Sequence, residues 1–197
     1  MQRGSASGAG TRPVVRRRTP PDLGACVRVL GAVHRSDGYP VNWLPSPRAW
    51  LTGGALVSAW VAESDGRVSG HVALSRSGAG DAAPGLWSAR TTGADAGAAA
   101  VVGRLFVDPR ARGRGIGALL MAQAVAEARR RGLHPVLDVL ASDTAAVALY
   151  ERLGWRPLGT VEQEWGPRLT VTVRCFAAPP DAAAGPAPGA TRARRSS

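Results

Sequence analysis

The chain contains no lysine; all 25 of its basic residues are arginine. A Walker-A phosphate loop, a protein kinase, a pyridoxal-phosphate enzyme and a Ser-x-x-Lys acylase each depend on a lysine, so all four are excluded. Cysteine is scarce. Cys26 and Cys175 give neither metal spacing nor a disulfide framework, which points to a reducing, cytoplasmic compartment. Three isolated histidines make no metal centre, and no metal is expected. No apolar run approaches the ~18 residues of a membrane span, so no membrane contact is expected. The N-terminus is rich in arginine and poor in acids, but it lacks the apolar stripe of a transit peptide, and no secretory apolar region follows. Aromatics are only 5% of the chain, and none interleaves with the terminal arginines, which argues against nucleic-acid stacking.

What is present suits one domain with tails. The chain has 197 residues, 45% of them hydrophobic, enough to build a core. The formal charge is +11, and its placement matters more than its size. Residues 1–18 hold five arginines and no acid, and residues 179–197 hold three arginines against Asp181. Residues 1–12 and 178–197 are Gly-, Ala-, Pro- and Arg-rich and read as disordered tails. The domain is expected over 13–177.

Within it, hydrophobic periodicity orders the elements. Pro13–Arg18 reads as a short strand. Leu23, Val27, Leu30 and Val33 recur at helical spacing, and a loop carrying His34, Tyr39 and Trp43 follows. A short helix holds Trp50 and Leu51. Leu56–Glu63 and Arg67–Ser75 flank Asp65-Gly66, a hairpin signal. Residues 76–99 are Gly-, Ala-, Ser- and Thr-rich without pattern and are expected to form a mobile insertion. Val101–Val107 is a buried strand, Gly115–Arg131 a helix, Val136–Leu140 a strand and 143–153 a helix. Trp155–Val161 and Leu169–Phe176 close the domain. The order is mixed α/β.

The chemistry concentrates at Val107-Asp-Pro-Arg-Ala-Arg-Gly-Arg-Gly-Ile-Gly117. A strand ends, a Gly/Arg turn follows and a helix begins inside the turn. The first helical turn leaves backbone N–H groups unpaired at the positive end of the dipole. Glycines let the backbone approach an anion, and Arg110, Arg112 and Arg114 add cations. A diphosphate is the natural guest. The dinucleotide fingerprint does not fit, because Gly113, Gly115 and Gly117 are spaced by two and position 118 is Ala.

This segment resembles the acetyl-CoA loop of the GCN5-related N-acetyltransferases, whose pattern is Arg/Gln-x-x-Gly-x-Gly/Ala. Here it reads Arg112-Gly113-Arg114-Gly115-Ile116-Gly117. A second signature of that family, a strand and helix ending in Leu-Tyr-x-x-x-Gly-Phe/Trp, is matched by Leu137 to Trp155. The resemblance covers roughly residues 13–177. It implies a mixed, splayed sheet of about 6–7 strands flanked by about 4 helices, and an acetyl-CoA-dependent transfer to an amine whose identity is not readable. The backbone of Leu105, Phe106 and Val107 would hold the pantetheine arm and the thioester carbonyl. The amides of Arg112, Gly113, Arg114, Gly115, Ile116, Gly117 and Ala118 would hold the pyrophosphate. Tyr150 matches the position that protonates the departing thiolate. Asp138, 12 residues earlier, stands where some members carry a Glu base. Asp143 replaces the family's usual Asn near the pantetheine. Homodimers are common in that family.

Direct attack needs a neutral amine, a polarised carbonyl and a proton for the leaving group. Glu63 and His71 are rival bases, each with a bland alternative as a solvated strand end or a core histidine. Glu162, Glu164 and Trp165 could meet a cationic acceptor, with Tyr39, Trp43 and Trp50 as pocket walls. Two other readings stand beside the enzyme: a non-catalytic acyl-CoA-binding module of the same fold, and a nucleic-acid binder using the Arg-rich ends.

Overall fold

The structure, a computed structural model, describes residues 12–91, 95–165 and 169–180. One sheet contains β1 (Val14–Arg17), β2 (Leu56–Ser64), β3 (Arg67–Arg76), β4 (Ala99–Val107), β5 (His134–Leu140), β6 (Arg156–Glu164) and β7 (Thr170–Ala177). The helices are α1 (Leu23–Asp37), α2 (Pro47–Thr52), α3 (Ala83–Arg90), α4 (Ile116–Arg130) and α5 (Thr144–Arg152). The strand order is β1-β2-β3-β4-β5-β7-β6, antiparallel except for the parallel pair β4–β5. This is the mixed α+β architecture expected from the sequence.

Local chemistry explains most boundaries. Asp65 and Gly66 both take positive φ (52° and 70°), the requirement of a two-residue hairpin turn whose twist matches the strands. In α1, Cys26, Val29, Leu30 and Val33 are buried, one apolar stripe at i, i+3, i+4, i+7. The helix runs through His34 and ends at left-handed Gly38, four residues later than the expected loop began. In α4, Ile116, Leu120, Met121, Ala124 and Ala128 are buried on the sheet. Glu127 is buried on the same helix and is ion-paired with Arg17, Arg130 and Arg131. An unpaired carboxylate there would be costly.

Two expectations are corrected. Residues 76–99 are not a patternless insertion: 83–90 form α3, and β4 already begins at Ala99. Ala83 of α3 is fully buried among Ala99, Val136, Leu158, Val173 and Cys175, with Leu86 and Trp87 packed against them, and Trp87 stacks on His134 at 4.8 Å. The C-terminal tail also starts later. Ala178 is buried and donates its amide to the Pro135 carbonyl, and the Pro179 carbonyl accepts from Arg129. Residues 1–11 and 181–197, expected as disordered tails, lie outside the described residues.

Three apolar clusters result. α4 and α5 cover one face of the sheet. On the other face, α1 and α2 cover the N-terminal half, and α3 covers the C-terminal half. The site arises where the sheet divides. β4 and β5 are in register only at Ala99–His134, Ala100–Pro135 and Val101–Val136. Beyond Val101 the two strands part, β4 staying with β3 and β5 with β7. Backbone groups on the facing edges of 102–107 and 137–140 therefore lack a strand partner across the split, and those not bonded locally, as the Leu140 and Arg104 carbonyls are, remain available to a ligand.

Candidate active site

A cavity of about 810 Å³ fills this split, within the size range of cofactor sites. One wall is Leu105, Phe106 and Val107 of β4; the other is Leu140, Ser142 and Asp143 with the start of α5. Gly113, Gly115, Ile116, Gly117 and Ala118 form the floor, and Val33, Asp37 and Tyr39 close the end of α1. Thus the expected cofactor residues come together, apart from the side chain of Arg114.

Gly115 caps α4 in the left-handed region (φ 74°). The first amide in the helical ladder is that of Leu119, donated to the Gly115 carbonyl. The preceding amides of the first turn are left for an anion. A Cβ built on Gly113 or Gly115 would meet nothing within 4 Å, whereas one on Gly117 would lie 3.1 Å from Leu149. The first two glycines therefore face open space. The third lets α4 approach α5.

The three arginines of the loop divide. Arg112 lines the cavity and is ion-paired with Asp37, whose carboxyl it holds below the usual range. Arg110 and Arg114 line a second groove, beside Glu63 and the β2–β3 turn, with Arg114 4.0 Å from Asp65. The expectation of three cations beside one anion site is corrected to one. Arg114 contributes its backbone only.

Asp143 lines the cavity and caps α5, its Oδ1 accepting from the Ala146 amide at 3.0 Å. Tyr150 is buried against Trp155 and Phe176, with ring centroids at 6.0 and 6.2 Å, and stands behind the cavity wall rather than among its lining residues. Its hydroxyl has no hydrogen-bond partner among the described residues, and Tyr39 and Asp143 lie within electrostatic range of it. Burial, followed by those two groups, raises the phenol above its ordinary value of about 10. The proton is therefore retained at neutral pH.

Asp138 is not brought to the cavity. It shares a sheet face with Val136, beneath α3, and its two oxygens accept from the Ala82 and Ala83 amides at 2.8 and 3.0 Å. This carboxylate caps α3, an interaction of about 1 kcal/mol. The Cys175 thiol beside it is pushed up by burial first and by Asp138 second.

The rival bases are engaged elsewhere. Glu63 is paired with Arg16, away from the cavity. His71 is fully buried. Arg18, always a cation, donates to its Nε2 at 2.9 Å, so Nδ1 carries the proton and donates to the Arg104 carbonyl at 2.9 Å. Burial drives this imidazole down to about 3. Its folded value thus lies below the ordinary 6.5, so the unfolded chain takes up the proton first. Stability is fully present above pH 6.5 and falls, by roughly 1.4 kcal/mol per pH unit, as the pH drops toward the folded value. Urea titrations between pH 7 and 4.5 are expected to show this slope. In His71→Gln, which cannot titrate, the slope shrinks by that amount; an unchanged slope refutes the assignment.

The acceptor-side residues also separate. Tyr39 lines the cavity and meets Trp50 edge-on at 6.4 Å. Trp43 is exposed and packs on His34, outside the lining. Glu162 and Glu164 alternate with Val161 and Gln163 on β6 and are exposed. Glu162 accepts from Thr172, while Gln163 reaches Gly80 beneath α3. The exposed Trp165 donates to Gln163. None of Glu162, Glu164 and Trp165 lines the cavity. Arg104 is a half-buried charge that interrupts the apolar run 99–107.

The sequence profile of the Acetyltransferase (GNAT) family matches residues 32–155. The chain belongs to that family. Over 53 residues it is 58% identical to a mycothiol acetyltransferase of Salinispora arenicola (strain CNS-205), which covers 26% of this chain and only 17% of that protein. Its fold resembles an N-acetyltransferase from Staphylococcus aureus Mu50, with a TM-score of 0.66 and 19% identity over 85% of this chain and 98% of that one. It also resembles Arabidopsis thaliana NAA60 in complex with acetyl-CoA, with a TM-score of 0.62 and 20% identity over 84% and 98%. Among the described residues, no helix is long and apolar enough to cross a membrane.

Proposed function

We propose that this GNAT protein is an acetyl-CoA-dependent N-acetyltransferase that moves an acetyl group to an amine by direct attack. The observation that carries the reading is the opening of β4 from β5 directly above the free amides of α4. Acetyl-CoA supplies the activated acetyl group as a thioester. The residues present fit it: the α4 amides and Arg112 would hold the diphosphate, and the edge of β4 at Leu105–Val107 would hold the pantetheine amides and polarise the carbonyl. Tyr150 holds the proton for the departing thiolate. Asp138, engaged by α3, takes no part.

The test has two stages. Acetyl-CoA at about 100 times Kd is expected to stabilise the protein by about 2.7 kcal/mol, which is roughly 5–10 °C in Tm for a chain of this size. Thiol release must then appear with at least one member of a panel of amines and peptides. No thermal shift at millimolar acetyl-CoA overturns the reading. A shift without thiol release leaves a non-catalytic acyl-CoA-binding module instead.

A further inference from the structure

Arg104 occupies a backbone position that an L residue adopts at a cost. In the β3–β4 register, His71 faces Phe106 and Ala73 faces Gly103, so Arg104 and Leu105 both stand opposite Val72. This is a β-bulge, and Arg104 carries the positive φ of 52° although Gly103 stands beside it. Bulges re-aim side chains near active sites, and a residue held at positive φ persists only where its surroundings over-determine it. Here the chain Arg18–His71–Arg104 pins the carbonyl.

The re-aimed guanidinium lies on the sheet face of α1 and α2; it does not itself line the cavity, which it adjoins through Tyr39. It sits 5.3 Å over the Trp50 ring and donates through Nη2 to the Gly53 carbonyl at 3.2 Å. Tyr39, which lines the cavity, and Asp81 are within electrostatic range. Asp81 accepts from the Gly78 amide instead. No carboxylate contacts Arg104 among the described residues, and Nη2 holds its only hydrogen bond there. Half-buried, stacked on an indole and largely unpaired, this planar fork has the geometry that grips a carboxylate. A fixed cation there also repels polycationic acceptors.

We propose that Arg104 is the acceptor's anion anchor, so that the acetylated amine carries a carboxylate: an amino acid or a similar small carboxylated amine. This inference rests on the proposed acetyl transfer and deepens it.

The test pairs amino acids with their carboxamides, and adds simple monoamines and spermidine, in a thiol-release assay at saturating acetyl-CoA. Rates are compared at equal free-amine concentration. The carboxylate member of a pair is expected to be preferred by roughly 10- to 100-fold in kcat/KM. Arg104→Gln should bring that ratio near one, chiefly by raising KM for the carboxylate, while the acetyl-CoA thermal shift remains. Arg104→Lys, which keeps the charge but loses the fork, should retain a preference of a few-fold and serves if the Gln variant does not fold. A retained cofactor shift with carboxamides or spermidine preferred overturns this inference alone. So does a preference that survives Arg104→Gln, or a panel in which no carboxylated amine is acetylated. Loss of the cofactor shift in the unaltered protein overturns both readings.

Discussion

Replacing Gly115 by Glu is expected to abolish acetyl-CoA binding while leaving the protein folded. The residue caps α4 at φ 74° with nothing within 4 Å of a would-be Cβ. The substitution therefore meets no steric wall, only the left-handed backbone penalty of about 1–2 kcal/mol. The effect on the ligand is much larger. A carboxylate about 4 Å from a diphosphate repels it by about 4 kcal/mol at an effective dielectric of 20. Each charge-assisted amide bond lost removes roughly 1.5–3 kcal/mol more. Together these exceed three decades of affinity, at about 1.4 kcal/mol per decade. Calorimetry should find no binding at concentrations that saturate the unaltered protein. Gly115→Ala separates the two causes, since it keeps the strain but adds no charge and should lose less than about tenfold. Undiminished binding by the Glu variant would mean that no diphosphate lies on the amides of α4.

That loop was legible in the sequence because its chemistry is local. Strand end, glycine turn and helix start fall within eleven residues, Val107 to Gly117, and each leaves its own residue signature. The hairpin at Asp65-Gly66 was legible for the same reason. What was not legible depends on contacts distant in the chain. α3 has only Leu86 and Trp87 as large apolar residues, too few to show a period. It forms because Asp138, more than fifty residues later, caps it and the far half of the sheet offers it a surface. The same contact removes Asp138 from the chemistry that strand position alone suggested. Arg114 and Arg112 look equivalent in sequence, yet Gly113 between them turns the backbone through positive φ, and their side chains enter different grooves.

The N-terminal charge is likewise redefined by long-range partners. Arg16 pairs with Asp22 and Glu63, Arg17 with Glu127, and Arg18 reaches the Leu51 carbonyl and His71. Three of the five arginines in residues 1–18 thus tie β1 to the domain, and they are poorly placed to serve a nucleic-acid-binding arm. The guanidiniums of Arg16 and Arg17 are part-exposed, but Asp22 and Glu127 are buried, so these pairs spare two buried carboxylates from standing alone. The consequence of Arg18 is positional, because it fixes the tautomer of His71 and, through it, the bulge at Arg104.

Tyr150→Phe should slow turnover by roughly 10²- to 10⁴-fold, the range for loss of a general acid, with acetyl-CoA binding and stability nearly unchanged. The ring sits in the core against Trp155 and Phe176, and Phe fills the same space. The hydroxyl gives no hydrogen bond to the described protein, so deleting it leaves no protein group unpaired, and stability should move by less than about 0.5 kcal/mol. The catalytic cost arises because a departing thiolate needs a proton from a group that still has one. Burial keeps the Tyr150 phenol protonated well above its ordinary value, so turnover should show no alkaline limb from this residue below about pH 10. The measurement is kcat and the acetyl-CoA KM across pH 6.5–9.5 for both proteins. A fall confined to kcat assigns the proton to Tyr150, because a packing defect would lower Tm or raise KM as well. Equal turnover in the Phe variant would return the residue to the core and place the proton source in bound water.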